Sequence, residues 1–184
     1  MNYIKLLKDN GLLRVIEEPV DIDLEIAHAS YIEVKREGSQ ALLFTNPVCK
    51  KTGRKFAPVL TNIYGSKRAL ELIFGRDPDE IASEIEKLLK PKKPKSFGEK
   101  LNFAAYLFEM RKIFTKRLKG EGECQHVKFT GDEVDLFSLP GLKTWPLDGG
   151  AFITMGQVYT QSLDGELQNV GMYRLQIYGK NRLG

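Results

Sequence analysis

The chain has 184 residues, 42% of them apolar and 28% charged, enough to bury a core in one large or two small domains. It has no run of about 18 apolar residues, which excludes a spanning helix, and Met1-Asn2-Tyr3-Ile4-Lys5 lacks the apolar core of a secretory signal. The net charge of +4 is local: from Lys90 to Lys119 ten Lys and Arg face only Glu99 and Glu109, a balance of +8, and the remaining chain holds 18 basic and 22 acidic residues, or −4. Cys49 and Cys124 lack any metal-type spacing and read as reduced thiols of a cytoplasmic protein.

Asn2 to Asn10 reads as a short helix stopped by Asn10-Gly11, and Leu12 to Ile16 as a strand leading to the acidic turn Glu17-Glu18-Pro19. Asp23 is placed to cap an amphipathic helix that carries Leu24, Ala27, His28 and Tyr31 on one face and ends at Gly38. Ala41 to Thr45 and Phe56 to Asn62 read as strands joined by the polar loop Asn46 to Arg54. Ser66 caps a helix that stops at Gly75. Asp77-Pro78-Asp79-Glu80 opens the next, whose buried stripe is Ile81, Ile85 and Leu88 and which Pro91 closes.

Lys90 to Ser96 is a charged, proline-bearing connector, followed by a helix from about Phe97 to Lys116 with a basic end. Beyond Gly120 the pattern turns to strands. Gln125 to Phe129 alternates, and Ile153 to Thr160 and Asn169 to Tyr178 form a hairpin about Asp164-Gly165. The expected fold class is mixed α/β (α+β). The expected divisions are an amino-terminal domain over 1–90, a basic connector and helix over 91–119, and a β domain over 120–184.

The basic segment is read as a solvated helix end more than as a nucleic-acid or anionic-membrane contact, because its aromatics follow core-like helical spacing. His28 and His126 have no ligand-type partners in sequence, no serine sits in a nucleophile elbow, and no P-loop is present. The final hairpin concentrates more useful groups. Asn169 offers a neutral oxygen for a hard cation, Gly171 permits close backbone approach, and Arg174 can bind a carboxylate bidentately or a phosphate by charge. Asn169 and Arg174 lie an odd number apart, so a bulge at Gly171 is expected to bring them together. The alternative is an ordinary edge hairpin with an exposed arginine.

Thr130-Gly131-Asp132-Glu133-Val134-Asp135-Leu136 with Leu139-Pro140, Trp145-Pro146 with Asp148-Gly149, and above all Asn169-Val170-Gly171-Met172-Tyr173-Arg174-Leu175-Gln176 resemble the UbiD family of decarboxylases. The likeness spans most of the chain, more loosely before Lys119. It is nearest to bacterial 4-hydroxybenzoate and polyprenyl-hydroxybenzoate decarboxylase-like members of quinone biosynthesis. The resemblance implies a flavin-binding split β-barrel, of which residues 120–184 would be the start. It implies reversible non-oxidative decarboxylation of aromatic or α,β-unsaturated acids with prenylated flavin mononucleotide, Mn²⁺ and a potassium ion. By the same resemblance Asn169 is a metal ligand, Gly171, Met172, Tyr173 and Arg174 line the cofactor, and Arg174 is the catalytic arginine.

Members of that family are several hundred residues long, and the resemblance places their remaining metal ligands, catalytic glutamates and dimerising domain after Gly184. The expectation is therefore an amino-terminal fragment, inactive alone, of a homo-oligomeric cytoplasmic enzyme. That enzyme takes a small aromatic acid, does not bind nucleic acid and at most touches a membrane peripherally. The runner-up is a split-barrel, reductase-like protein on ordinary flavin mononucleotide without a metal.

Overall fold

The structure, a computed structural model, describes residues 2–89, 96, 98, 101, 103, 108 and 119–184. The expected connector from Lys90 to Ser96 and the basic helix from Phe97 to Lys116 fall almost wholly outside the described residues. The architecture is the expected mixed α/β type, with helices and three small sheets. Residues Met1–Arg76 and Gly131–Gly184 form one compact unit, and Asp77–Thr130 a second.

In the first unit, α1 (Tyr3–Asp9) is capped by the Asn2 side chain, which accepts from the Lys5 amide at 3.1 Å. β1 (Leu13–Ile16), β3 (Ala41–Phe44) and β6 (Val59–Thr61) make a sheet in the order β1-β3-β6. β1 runs parallel to β3, with α2 (Glu25–Val34) in the crossover, and β3 pairs antiparallel with β6. A parallel pair buried by a crossover helix favours continuous apolar runs, and Ala41-Leu42-Leu43-Phe44 is one, with Leu42 and Phe44 fully buried. Ile26 from α2 closes over them, and each such side chain contributes about 1.5–3 kcal/mol by leaving water.

The loop expected from Asn46 to Arg54 is more ordered than its polar composition suggests. β4 (Pro47–Cys49) and β5 (Arg54–Lys55) pair antiparallel, and β4 also pairs parallel with β2 (Val20–Asp21), giving a second sheet. α3 (Lys67–Phe74) follows the expected punctuation, with Ser66 accepting from Ala69 N at 3.2 Å and Gly75 left-handed at φ 70°. The third sheet holds β7 (Phe152–Gln161), β8 (Gln168–Gly179) and β9 (Arg182–Leu183) in that order.

The first expected detail that fails is the start of α2. Its N-cap residue is Leu24, not Asp23, and no side chain caps it. Leu24 takes φ 74°, and Glu25 N donates to Asp23 O at 3.0 Å, a positive-φ γ-turn. Asp23 is drawn elsewhere: its carboxylate binds Lys51 Nζ at 2.5 Å. The buried residues of α2 are Ile26 and Glu33, so the apolar face read from the sequence (Leu24, Ala27, His28, Tyr31) is not the core face. Glu33 is held ionised by the Gln40 amide and by Arg14 and Arg36, which lower its pKa against the opposing effect of burial.

In the second unit α4 spans Pro78–Leu89, and the Asp77 carboxylate accepts from Asp79 N at 2.9 Å, as the sequence implies. Of its expected apolar stripe, Ile81 is partly buried and Ile85 is exposed, and the side chain of Leu88 lies outside the described residues. The expected strand over Gln125–Phe129 is absent. Glu123–Gln125 is a 3₁₀ turn, and His126, Val127 and Phe129 are exposed. Alternation alone does not make a strand, because an unpaired one leaves its backbone polar groups without ladder partners.

Candidate functional site

One carboxylate organises the loop before β7. Asp148 Oδ2 accepts from Thr144 Oγ1 at 2.8 Å, Trp145 N at 3.0 Å and Thr144 N at 3.3 Å, closing Thr144-Trp145-Pro146-Leu147-Asp148 into a tight turn. The same carboxylate faces Arg174 from β8: Nη2 donates to Oδ1 at 2.7 Å and Nη1 to Oδ2 at 3.5 Å, with Nη1 also donating to Thr144 Oγ1 at 3.2 Å. The guanidinium lies over the Phe152 ring, 4.0 Å from its centroid. The Arg174 hydrogen bonds, joined by those from Thr144 and Trp145, hold the Asp148 carboxyl down at about 2, against an ordinary value of 3.8. The acid side chain is only 9% exposed and the arginine 41%, so the pair offers its cationic partner to ligands.

β7 and β8 set where Arg174 points. Their register runs evenly from Gln161↔Gln168 to Gly156↔Tyr173, then shifts by one residue before Ile153↔Leu175. The extra residue is on β7, at Thr154-Met155, and not at Gly171 as expected. Gly156 suits this bulge, because a Cβ there would lie 3.1 Å from the Tyr173 carbonyl oxygen. β8 stays regular, so Asn169, Gly171 and Tyr173 share one face while Met172 and Arg174 share the other. Space beside Gly171 is taken by the Tyr173 ring, whose Cε2 would be 2.5 Å from an added Cβ.

Arg174 opens on a cavity of about 1020 Å³. Its walls explain the unexpected orientation of α2: Leu24, Ala27, His28, Tyr31 and Val34 line it, facing Trp145, Pro146 and Thr154. The strained γ-turn at Leu24 is part of this wall and is fastened by Leu24 N donating to Lys143 O at 3.0 Å. A second positive-φ residue, Asn62 at φ 55°, also lines the cavity, its amide held by Ser39 Oγ at 2.7 Å and Gln40 O at 2.8 Å. The polar lining is Arg174, a few hydroxyls, His28, Asn62 and Glu25, the last already paired with Lys50. Apolar and aromatic walls with one arginine suit a flat conjugated molecule bearing an anionic group. An aromatic carboxylic acid fits, and so does the ring system of a flavin.

Asn169 lies elsewhere. It is five residues along β8 from Arg174, roughly 17 Å on an extended strand, and on the opposite face. It lines a smaller cleft of about 450 Å³ with Tyr159, Thr160, Gln161, Gln168 and Val170, whose side chains bring amide and hydroxyl oxygens but no carboxylate or imidazole. Among the described residues no group of three His, Cys, Asp or Glu could hold a metal ion. Residues around Asn169 therefore do not by themselves fit Mn²⁺, and no chemical step is drawn through a metal.

Gly171, Met172, Tyr173 and Arg174 are brought together as neighbours on β8, divided between its faces. Thr144 and Phe152 are site residues that the sequence does not single out. Asp148 stands there only within the supporting motif with Gly149 and without a role, and the folded hairpin sets it against Arg174.

The known proteins that this chain resembles agree with that fold. The N-terminal domain model of 3-octaprenyl-4-hydroxybenzoate carboxy-lyase matches residues 4–89, and that enzyme's Rift-related domain model matches residues 116–184. An uncharacterized protein of Helicobacter pylori (strain J99) is 44% identical over 187 residues, covering 100% of this chain and 30% of that protein's length. One from Aquifex aeolicus is 38% identical, covering 99% and 36%. This chain thus spans about a third of the length of these relatives. Among solved structures, the closed form of vanillic acid decarboxylase from Sedimentibacter hydroxybenzoicus superposes with a TM-score of 0.70 at 22% identity, covering 99% of this chain and 35% of that one. An evolved dimeric form of the UbiD-class enzyme HmfF from Pelotomaculum thermopropionicum, in complex with prFMN, gives 0.69 at 20% identity, covering 99% and 36%. At such identities the structures speak for the fold, and the two family models, which between them take in most of the chain, carry the assignment: the protein belongs to the UbiD family.

Proposed function

We propose that this chain carries the carboxylate-recognition part of a decarboxylase acting on an aromatic carboxylic acid. Arg174 receives the carboxylate, and prenylated flavin mononucleotide is the cofactor, proposed to run past the β8 stretch Gly171, Met172, Tyr173 and Arg174, of which Arg174 lines the cavity. The observation that supports this most is a single clamped arginine opening on an apolar, aromatic-walled cavity. When bound, the prenylated flavin supplies an electron sink for the bond that releases CO₂.

The chain's own residues bind the acid and orient it. A guanidinium fixed on Phe152 and Asp148 meets a carboxylate without having to be ordered at that moment, which lowers the entropic cost of binding. Apolar side chains from α2 and Trp145-Pro146 lie against the bound acid on the cavity side and give its ring an apolar surface to pack on. Tyr173, over Gly171, has to swing aside for anything to approach that stretch of backbone.

Asn169 is proposed as one neutral oxygen ligand of Mn²⁺, with K⁺ as a further ion, and neither carries a chemical step. The reaction is proposed to serve menaquinone or ubiquinone biosynthesis, in a cytoplasmic homo-oligomer. The match of residues 116–184 to the Rift-related domain of 3-octaprenyl-4-hydroxybenzoate carboxy-lyase supports that setting. Among the described residues no helix is long and apolar enough to cross a membrane.

The test places this chain within a protein of its relatives' length, loaded with prenylated flavin and Mn²⁺ and assayed for CO₂ release from 4-hydroxybenzoate and other aromatic acids. Release is expected there and not from the 184-residue chain, which should still bind the acid. No flavin uptake and no release from any aromatic acid would overturn the decarboxylase reading. Uptake of ordinary flavin mononucleotide, indifferent to metal and to Asn169→Ala, would favour the reductase-like alternative.

A further inference from the structure

We infer that Asp148 is the positioning residue of Arg174: it occupies the end of the guanidinium fork and leaves the Nε edge to receive a ligand's carboxylate. The inference rests on the reading of Arg174 as a carboxylate receptor. A guanidinium has five N–H donors on two usable edges, the Nη1/Nη2 end and the Nε/Nη2 side. Asp148 takes the end, with Oδ1 2.7 Å from Nη2 and Oδ2 3.5 Å from Nη1, and Thr144 Oγ1 also accepts from Nη1 at 3.2 Å. Among the described residues no acceptor binds Nε. The Phe152 ring, 4.0 Å from the guanidinium, covers one face and resists rotation out of plane.

Asp148 can act as a fixed reference because it is itself pinned. Thr144 N, Thr144 Oγ1 and Trp145 N all donate to Oδ2, and the side chain is 9% exposed. An acid held this way does not follow the arginine if the arginine turns toward a ligand. The side edge is then the one place where a second carboxylate can find two parallel N–H groups. Asp148 also cancels the arginine's charge, so an anion is held by geometry more than by net field. That consequence separates positioning from simple competition. If Asp148 merely competes with the ligand, removing its charge tightens anion binding. If it positions Arg174, removing it loosens binding despite the more positive site.

The experiment uses the 184-residue chain and benzoate as probe, following the Arg174 Nε and Nη signals by nitrogen-resolved NMR, assigned by their loss in Arg174→Lys. Wild type is expected to show separate Nη signals from hindered rotation, and benzoate is expected to shift Nε–H more than Nη1. In Asp148→Asn the Nη signals should average, and benzoate should bind about tenfold more weakly, the loss expected for one charge-assisted hydrogen bond. Asp148→Glu should recover part of both.

Backbone amide signals of β7 and β8 check that the hairpin persists. Thr144→Val, which keeps the backbone bonds to Asp148, serves as a second variant and should loosen the guanidinium in part. Unchanged Nη signals in Asp148→Asn, or tighter benzoate binding, overturns the inference. If wild type shows the hindered Nη signals but binds no benzoate, the carboxylate reading of Arg174 falls while the hold of Asp148 on the guanidinium stands.

Discussion

Arg174 is one side chain with three supports: an acid at its fork, a hydroxyl beside it and a ring beneath it. A lysine reaches one of these at a time, since an ammonium is a point charge without a planar fork. Arg174→Lys should therefore weaken aromatic-acid binding by about tenfold or more, in line with loss of a bidentate charge-assisted contact, while leaving the hairpin folded. Calorimetric titration with benzoate measures it, and equal affinity would remove Arg174 from the site.

The acid partner gives a pH signature. Its carboxyl sits at about 2 when folded against 3.8 ordinarily. A depressed folded pKa contributes stability that is complete above the unfolded value and is lost as pH falls through the folded one. The Asp148 contribution should thus be intact above about pH 4 and fade toward pH 2. Comparing denaturant midpoints of wild type and Asp148→Asn isolates it from Glu33 and the other depressed carboxyls: the gap between them should shrink as pH drops across that window. A gap that stays constant would mean the ion pair is not formed in solution. Arg174 was legible in the sequence through its motif. Asp148 was marked only as a motif residue beside Gly149, and its hold on Arg174 was not legible, because nothing in a Leu-Asp-Gly-Gly turn records which later strand will pass above it.

At the scale of elements, α2 and the β7–β8 hairpin show how far periodicity carries. The hairpin was legible because alternation on both sides of Asp164-Gly165 specifies pairing, and the structure adds only a few residues to each strand. The bulge was misplaced because two glycines compete for it and sequence cannot tell which meets backbone. Gly156 faces the Tyr173 carbonyl oxygen, whereas Gly171 faces the tip of an exposed, movable ring. Gly156→Ala should consequently destabilise by roughly 1–3 kcal/mol, as overpacking does, and more than Gly171→Ala, which can displace the Tyr173 ring. Thermal melts of both variants decide this, and the reverse order would contradict the register.

In α2 the apolar periodicity was real but too wide for one purpose. Ile26 is fully buried against Leu42 and Phe44, while Leu24, Ala27, His28 and Tyr31 look into the cavity. Ile26→Ala should cost about 2–5 kcal/mol of stability, and Tyr31→Ala, half-exposed, within about 0.5 kcal/mol. Tyr31→Ala should instead change benzoate affinity. The same contrast explains the strand that failed over Gln125–Phe129: apolar alternation reports a face that could be buried, and a partner decides whether it is.

For the molecule as a whole, the telling residue is Leu142. It comes late in the chain yet belongs to the core cluster of Ile26, Leu42, Phe44 and Val59. Around it Lys143 N donates to Ile22 O at 3.1 Å, Leu142 and Phe152 exchange backbone bonds, and Arg54 binds Asp135 at 3.0 Å. Contacts between segments so distant in sequence leave no trace in local pattern, and for that reason the cavity they enclose was not foreseeable while its separate walls were. The division of the chain at about residues 90 and 120 remains our proposal for its domains.

The shared core has a consequence for cooperativity. Since Leu142 is buried among residues of β3, β6 and α2 and continues directly into the bridge with Phe152, its removal opens a cavity next to both the amino-terminal sheet and the hairpin. Leu142→Ala should cost about 2–5 kcal/mol and lower hydrogen-exchange protection in β3 and in β7–β8 by the same factor, because the two would open as one cooperative unit. Protection lost from β3 alone, with β7–β8 unchanged, would show that the hairpin is held by its own ladder, and the cavity at Arg174 would then have one wall free to move against the other.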